Sequence, residues 1–71
     1  MYKLITSDGK ITERERMTLE QMQEFVGGYV EKYKSIYCNE DGLRLKLPTN
    51  IIDSRFVGNI IKEFKKRMEE K

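Results

Sequence analysis

The chain has no histidine and a single cysteine, Cys38, so the residue types that most often carry covalent or zinc chemistry are nearly absent. Cys38 as a nucleophile needs a base, and no imidazole exists to supply one. No CxxC motif or His/Cys cluster offers a metal-ligand set. Ser7-Asp8 and Asp53-Ser54-Arg55 put hydroxyls beside carboxylates, but no base of suitable pKa accompanies them. Glu40-Asp41 provide too few oxygens for Ca²⁺ or Mg²⁺ and suit a solvated turn. These residues argue against an enzyme, and for no cofactor and no metal.

Recognition chemistry is what remains. Tyr29, Tyr33 and Tyr37 alternate through Tyr29–Cys38, so on one continuous strand they share a face. Lys32, Lys34, Arg44 and Lys46 lie near them in sequence. Aromatic rings interleaved with cations can stack bases and hold phosphates. Such a face suits an anionic, aromatic ligand: a nucleotide, a cyclic-nucleotide signal or single-stranded nucleic acid. The same residue types serve protein interfaces, and they also suit a half-buried core with a solvated rim.

The elements that must position these residues can be read along the chain. Tyr2–Thr6 is rich in β-formers, Ser7-Asp8-Gly9-Lys10 has turn chemistry, and Ile11–Arg16 alternates in charge. Residues 2–16 are therefore predicted to form a hairpin whose charged second strand lies at a sheet edge. Thr18 has the chemistry of a helix cap, with Gln21 at capping-box spacing and Met17 placed to staple onto Met22. Leu19, Met22, Phe25 and Val26 form one helical stripe, and Gly27-Gly28 stops it. A phosphate prefers a helix N-terminus, so this glycine pair reads as a stop and not as a binding loop.

Tyr29–Cys38 is predicted as a strand with a bulge or break near Lys34. Asn39-Glu40-Asp41-Gly42 then turns the chain into Leu43–Leu47, where strict alternation points three leucines inward and Arg44 and Lys46 outward. Pro48 ends that strand. The C-terminal segment has two readings. Val57, Ile60, Ile61, Phe64 and Met68 fit a helical stripe, capped by Asp53 or Ser54. Gly58-Asn59 is a poor helix interior, and Ile60-Ile61 suits a buried strand.

Four pieces, Val26-Gly27-Gly28-Tyr29-Val30-Glu31, Asn39-Glu40-Asp41-Gly42, Leu47-Pro48-Thr49-Asn50 and Val57-Gly58-Asn59-Ile60-Ile61, stand in an order that resembles DUF3846. This is a small domain-of-unknown-function family of phage, large-virus and mobile-element genomes. The resemblance covers about residues 2–61. It implies an α+β fold, a closing strand over Gly58–Glu63 and a viral or mobile-element origin; the charge-rich end from Lys62 to Lys71 then favours a short helical or frayed tail. It implies no activity.

Seventy-one residues allow one domain, residues 1–71, with a thin core. The net charge is +2, a milder excess than a dedicated nucleic-acid binder usually carries. No apolar run spans a membrane, and Met1–Ile5 is too short for a signal-peptide core. The lone cysteine favours a reducing compartment, here the cytoplasm of a host cell. A small core with charged edges makes a homo-oligomer an expectation.

The sequence thus leads to an α+β domain: a small antiparallel sheet of two hairpins, one short helix between them, and a C-terminal strand or helical tail. The expected function is that of a non-catalytic phage or mobile-element accessory protein that counters host defence. It would bind or sequester a partner or a small nucleotide-like anion. The alternatives are a nucleic-acid-binding module and an inhibitor of one host protein.

Overall fold

The structure, a computed structural model, describes residues 1–65. Its elements in chain order are β1 (Tyr2–Ile5), β2 (Ile11–Arg14), α1 (Leu19–Val26), β3 (Val30–Tyr33), β4 (Ile36–Asn39) and β5 (Ile60–Glu63). One helix thus stands beside a five-stranded antiparallel sheet of order β2-β1-β5-β4-β3. The fold is α+β and mostly sheet. Two hairpins are present, but neither completes the sheet alone. β5 runs between them, with Ile61 opposite Leu4 on one side and opposite Tyr37 on the other.

β5 settles the two readings of the C-terminal segment for the residues described. Ile60 and Ile61 are the most deeply buried side chains of the sheet, on opposite faces. A central strand needs apolar residues on both faces, whereas a helix would turn only one stripe inward. Of the predicted helical tail beyond Glu63, Phe64 and Lys65 are not helical, and residues 66–71 lie outside the described residues.

α1 forms as its caps prescribe. Thr18 Oγ1 accepts from the Gln21 N–H at 3.1 Å, and Gln21 Oε1 accepts from the Thr18 N–H at 3.0 Å. At the other end Gly27 takes the left-handed conformation, φ 87°, and its N–H returns to the Gln23 carbonyl. Met22 and Val26 pack on Leu4 and Ile61, with Met17, Phe25, Val30, Tyr2 and Tyr37 around them. Leu19 departs from the predicted stripe and stays 60% exposed. It sits in the first turn, and the eight-residue helix reaches the sheet mainly through its second half.

The second hairpin differs from expectation. Tyr29–Cys38 is not one strand. Lys34, at φ 57°, turns the chain, so Val30–Tyr33 and Ile36–Asn39 pair with each other. Nor do Leu43–Leu47 form a strand. Asn39 Oδ1 accepts from the Asp41 N–H at 2.7 Å. The N–H groups of Gly42, Leu45, Lys46 and Leu47 then bond to the carbonyls of Asn39, Asp41, Leu43 and Gly42. These short-range bonds use the donors a ladder would need. Leu43 is left 82% exposed and Leu45 49% exposed, so the strict alternation does not mark a buried face.

Three asparagines clamp the long loop between β4 and β5 onto the sheet. Asn39 donates to the Val26 carbonyl at 3.0 Å, and Asn59 donates to the Phe25 carbonyl and accepts from the Ser7 N–H. Asn50, fully buried, donates toward the carbonyls of Ile5, Thr6 and Gly58 and accepts from the N–H groups of Ile52 and Asp53. Each of these asparagines belongs to one of the recurring sequence pieces, and each is satisfied within the fold.

Candidate functional site

Register fixes where the tyrosines go. Opposed residues of an antiparallel pair share a face. Tyr37 is opposite Lys32 and Tyr33 opposite Ile36, so Tyr33 and Tyr37 lie on opposite faces of the sheet. Tyr29 precedes β3 and is 71% exposed. The expected single face of three tyrosines is therefore not formed, because the predicted break near Lys34 is a tight turn at Lys34-Ser35 that reverses the chain, not an interruption within one strand.

Tyr37 and Lys32 lie on the helix side. The Tyr37 hydroxyl donates to Glu63 Oε1 at 2.9 Å, and the Lys32 ammonium stands 3.5 Å from the same oxygen and 5.4 Å from the Tyr37 ring. The Tyr2 ring lies 6.4 Å from the Tyr37 ring. Burial first, and then the bond to Glu63, pushes the Tyr37 pKa up. The Lys32 ammonium is held charged by the facing Tyr37 oxygen and by Glu63. A phenol whose proton is held in this way stays protonated at neutral pH, and the cluster satisfies itself.

The other face carries a different constellation. Tyr33 meets Phe56 edge-on, with ring centroids 6.2 Å apart. Lys34 lies 5.7 Å from the Tyr33 ring, and the Arg55 guanidinium 5.4 Å from the Phe56 ring. Beside them a groove of about 390 Å³ runs between β3–β4, the turn at residues 40–44 and the segment at residues 55–57. Its apolar lining includes Cys38, Leu43, Phe56 and Val57, and its charged lining Glu31, Glu40, Asp41, Arg44 and Arg55.

The charges in this groove are not equally available. Arg55 is locked to Asp53 through two bonds, at 2.9 and 2.6 Å. Those bonds hold the Asp53 carboxyl down at about 2 and raise Arg55. Arg44 pairs with Asp41 at 3.0 Å, which raises its pKa in turn. Glu31 and Glu40 have no ion-pair partner among the described residues. Burial raises the Cys38 thiol, with Glu31 adding to the effect.

Of the seven predicted site residues, the structure brings Arg44 to the groove and Tyr33 with Lys34 to its border. It places Lys32 and Tyr37 on the opposite face. Tyr29 and Lys46 are exposed, the latter at φ 58° in the turn that replaces the predicted strand. Phe56 was not singled out from sequence, and Arg55 entered only beside Asp53 and Ser54, not as a binding residue. Their neighbourhood is irregular, and no periodicity marks them. Among the described residues no group of three or more His, Cys, Asp or Glu side chains could hold a metal ion. No helix of the described residues is long and apolar enough to cross a membrane.

What the arrangement can do is bind: an aromatic pair, an apolar floor and a mixed rim offer contact area and directional polar groups. No curated protein and no solved structure matches this chain. The motif asparagines and glycines that fix this loop-and-sheet architecture are the pieces that carried the family resemblance, and the family's model, Domain of unknown function (DUF3846), matches residues 1–64, so the chain belongs to that family.

Proposed function

We propose that this is a non-catalytic binding protein that works by occupying a macromolecular partner through the groove face opposite α1. A phage or mobile-element accessory role, acting on a host protein, is the setting we infer for it. The observation that carries the reading is the charge state of the groove. Its two arginines are each neutralised by an aspartate, whereas Glu31 and Glu40 stay free of ion pairs among the described residues. An anionic small molecule gains little from arginines already committed to carboxylates and meets two further carboxylates. A polypeptide can use the aromatic pair and the apolar floor as anchors and the rim for polar contacts.

A second reading, a nucleotide-like ligand, is favoured by one feature: the Tyr33–Phe56 pair flanked by Lys34 and Arg55. The two separate by photo-crosslinking and titration. A photoreactive residue replacing Tyr33 should capture a discrete protein in cells, while mononucleotides and cyclic dinucleotides added to the purified chain should leave the Tyr33 and Phe56 resonances unmoved. Saturable shifts of both rings by a nucleotide, with no protein captured, would reverse the choice.

A further inference from the structure

The groove adjoins an open sheet edge. Among the described residues β3 is an outermost strand, paired only with β4. The Glu40 N–H donates to the Tyr29 carbonyl at 2.9 Å. Hydrogen-bonded pairs alternate along an antiparallel ladder, so Glu31–Cys38 and Tyr33–Ile36 bond inward, and the N–H and C=O groups of Val30 and Lys32 point away from the sheet. Among the described residues no side chain or loop bonds to those outward groups. Four unsatisfied main-chain groups on an edge are a template for another strand.

A second copy of this chain is a poor occupant. In an antiparallel self-pair centred on this strand, Glu31 opposes Glu31 or Lys32 opposes Lys32, and like charges directly opposite are destabilising. β2, the other edge among the described residues, is four residues long with Glu13 and Arg14 exposed, a short charged edge of the kind that discourages unwanted pairing.

We infer that β3 takes up an extended segment of a partner protein as a sixth, antiparallel strand, and that Glu31 and the Tyr33–Phe56 pair select its sequence. The inference rests on the partner-binding reading above. Side chains of an added strand alternate between faces. On the groove face they come beside Glu31 and Tyr33, and on the helix face beside Val30 and Lys32. Glu31, on the groove wall and lacking an ion-pair partner among the described residues, calls for a lysine or arginine. Tyr33, 53% exposed beside Phe56, calls for an aromatic or large apolar residue two positions earlier in the incoming chain. Val30 calls for a β-branched residue. Lys32 is already paired with Glu63 and needs only a neutral polar neighbour. The chemistry recognised is therefore a basic, β-prone stretch of the form Phe-Thr-Lys-Val.

The test uses the full chain and the capped hexapeptide Ser-Phe-Thr-Lys-Val-Ser, read by amide resonances and hydrogen exchange. The peptide should slow exchange of the Val30 and Lys32 amides and shift the groove residues. N-methylation of its Thr and Val removes the donors that face β3 and should abolish binding, while N-methylation of its Phe and Lys should not. Glu31→Lys, at an exposed position, should weaken the lysine peptide by about fivefold and favour its Glu counterpart, as expected for reversing one cross-strand charge pair. Binding that shifts groove residues but ignores the position of the N-methyl groups overturns strand addition and leaves partner binding standing. Failure of the peptide to bind at millimolar concentration overturns the inferred recognition sequence. Nucleotide-induced shifts of Tyr33 and Phe56 in place of peptide shifts overturn both.

Discussion

Asn50 donates to the Gly58 carbonyl at 2.9 Å, across the loop that joins the second hairpin to the central strand. The same side chain reaches the carbonyls of Ile5 and Thr6 at the end of β1 and accepts two main-chain N–H groups. One buried amide thus ties the first hairpin, the long loop and the entry to β5 together.

Replacing that amide should be among the costliest single changes in the chain. Asn50→Ala leaves several buried main-chain groups unpaired, each costing about 1–3 kcal/mol. Asn50→Asp keeps the shape but turns a carboxylate toward three carbonyls. Both variants should lose most of the cooperative unfolding transition in urea. A midpoint within experimental error of the parent would show that Asn50 is not the clamp described.

Gly58 and Gly27 both sit at positive φ but should respond differently to alanine. A Cβ on Gly27 meets nothing closer than 3.9 Å, whereas one on Gly58 comes within 2.7 Å of Leu47 Cδ1. Gly27→Ala should therefore cost about 1–2 kcal/mol, the backbone term alone, and Gly58→Ala clearly more. Adding Leu47→Ala should recover part of the Gly58→Ala loss. Thermal melts of the two single variants and the double variant check this; additive losses in the double variant would remove the clash from the account.

Tyr37 and Tyr33 should separate stability from binding. Tyr37→Phe removes the hydrogen bond to Glu63 and should lower stability by about 1 kcal/mol without affecting partner capture. Tyr33→Ala removes an exposed ring from the groove border and should leave the melting temperature nearly unchanged while weakening capture. The opposite pattern would move the binding surface to the helix side.

Acid should reveal the Asp53–Arg55 pair. Asp53 titrates at about 2 in the folded chain, below its ordinary 3.8. Its contribution is therefore present above pH 3.8 and is lost as pH falls toward 2. Asp53→Asn should flatten that part of the stability–pH curve. Arg55 is largely exposed, so solvent screening keeps the effect small. The carboxylate resonance of Asp53, followed by NMR, gives the direct reading, and a midpoint at its ordinary value would remove the pair.

Cys38 has the opposite sign. Burial raises its thiol, so at neutral pH the folded chain should react with iodoacetamide more slowly than the urea-unfolded chain. Its contribution to stability is present below the unfolded thiol's pKa and declines as pH rises through the folded value. Equal alkylation rates in the two states would show the thiol to be freely exposed.

Local chemistry was legible in the sequence because its partners lie a few residues away. Thr18 finds Gln21, Gly27 closes the helix, and Ser7–Lys10 turn the first hairpin, all through bonds spanning five residues or fewer. The family pieces also pointed to β5, where periodicity left helix and strand open. Tertiary structure decided the rest. Whether Tyr29–Cys38 is one strand or two depends on Lys34 entering the left-handed region, an unusual conformation for lysine that the pairing of Val30–Tyr33 with Ile36–Asn39 sustains. Leu43–Leu47 alternates as a strand should, but its N–H groups are taken by a loop held down through Asn39 and Asn50. The candidate site follows from that choice. Tyr33 and Phe56, twenty-three positions apart, meet only because the loop folds across the sheet. Sequence spacing determines which neighbours can bond, whereas register determines which face a side chain occupies; a tight turn at Lys34-Ser35 was enough to part Tyr33 from Tyr37.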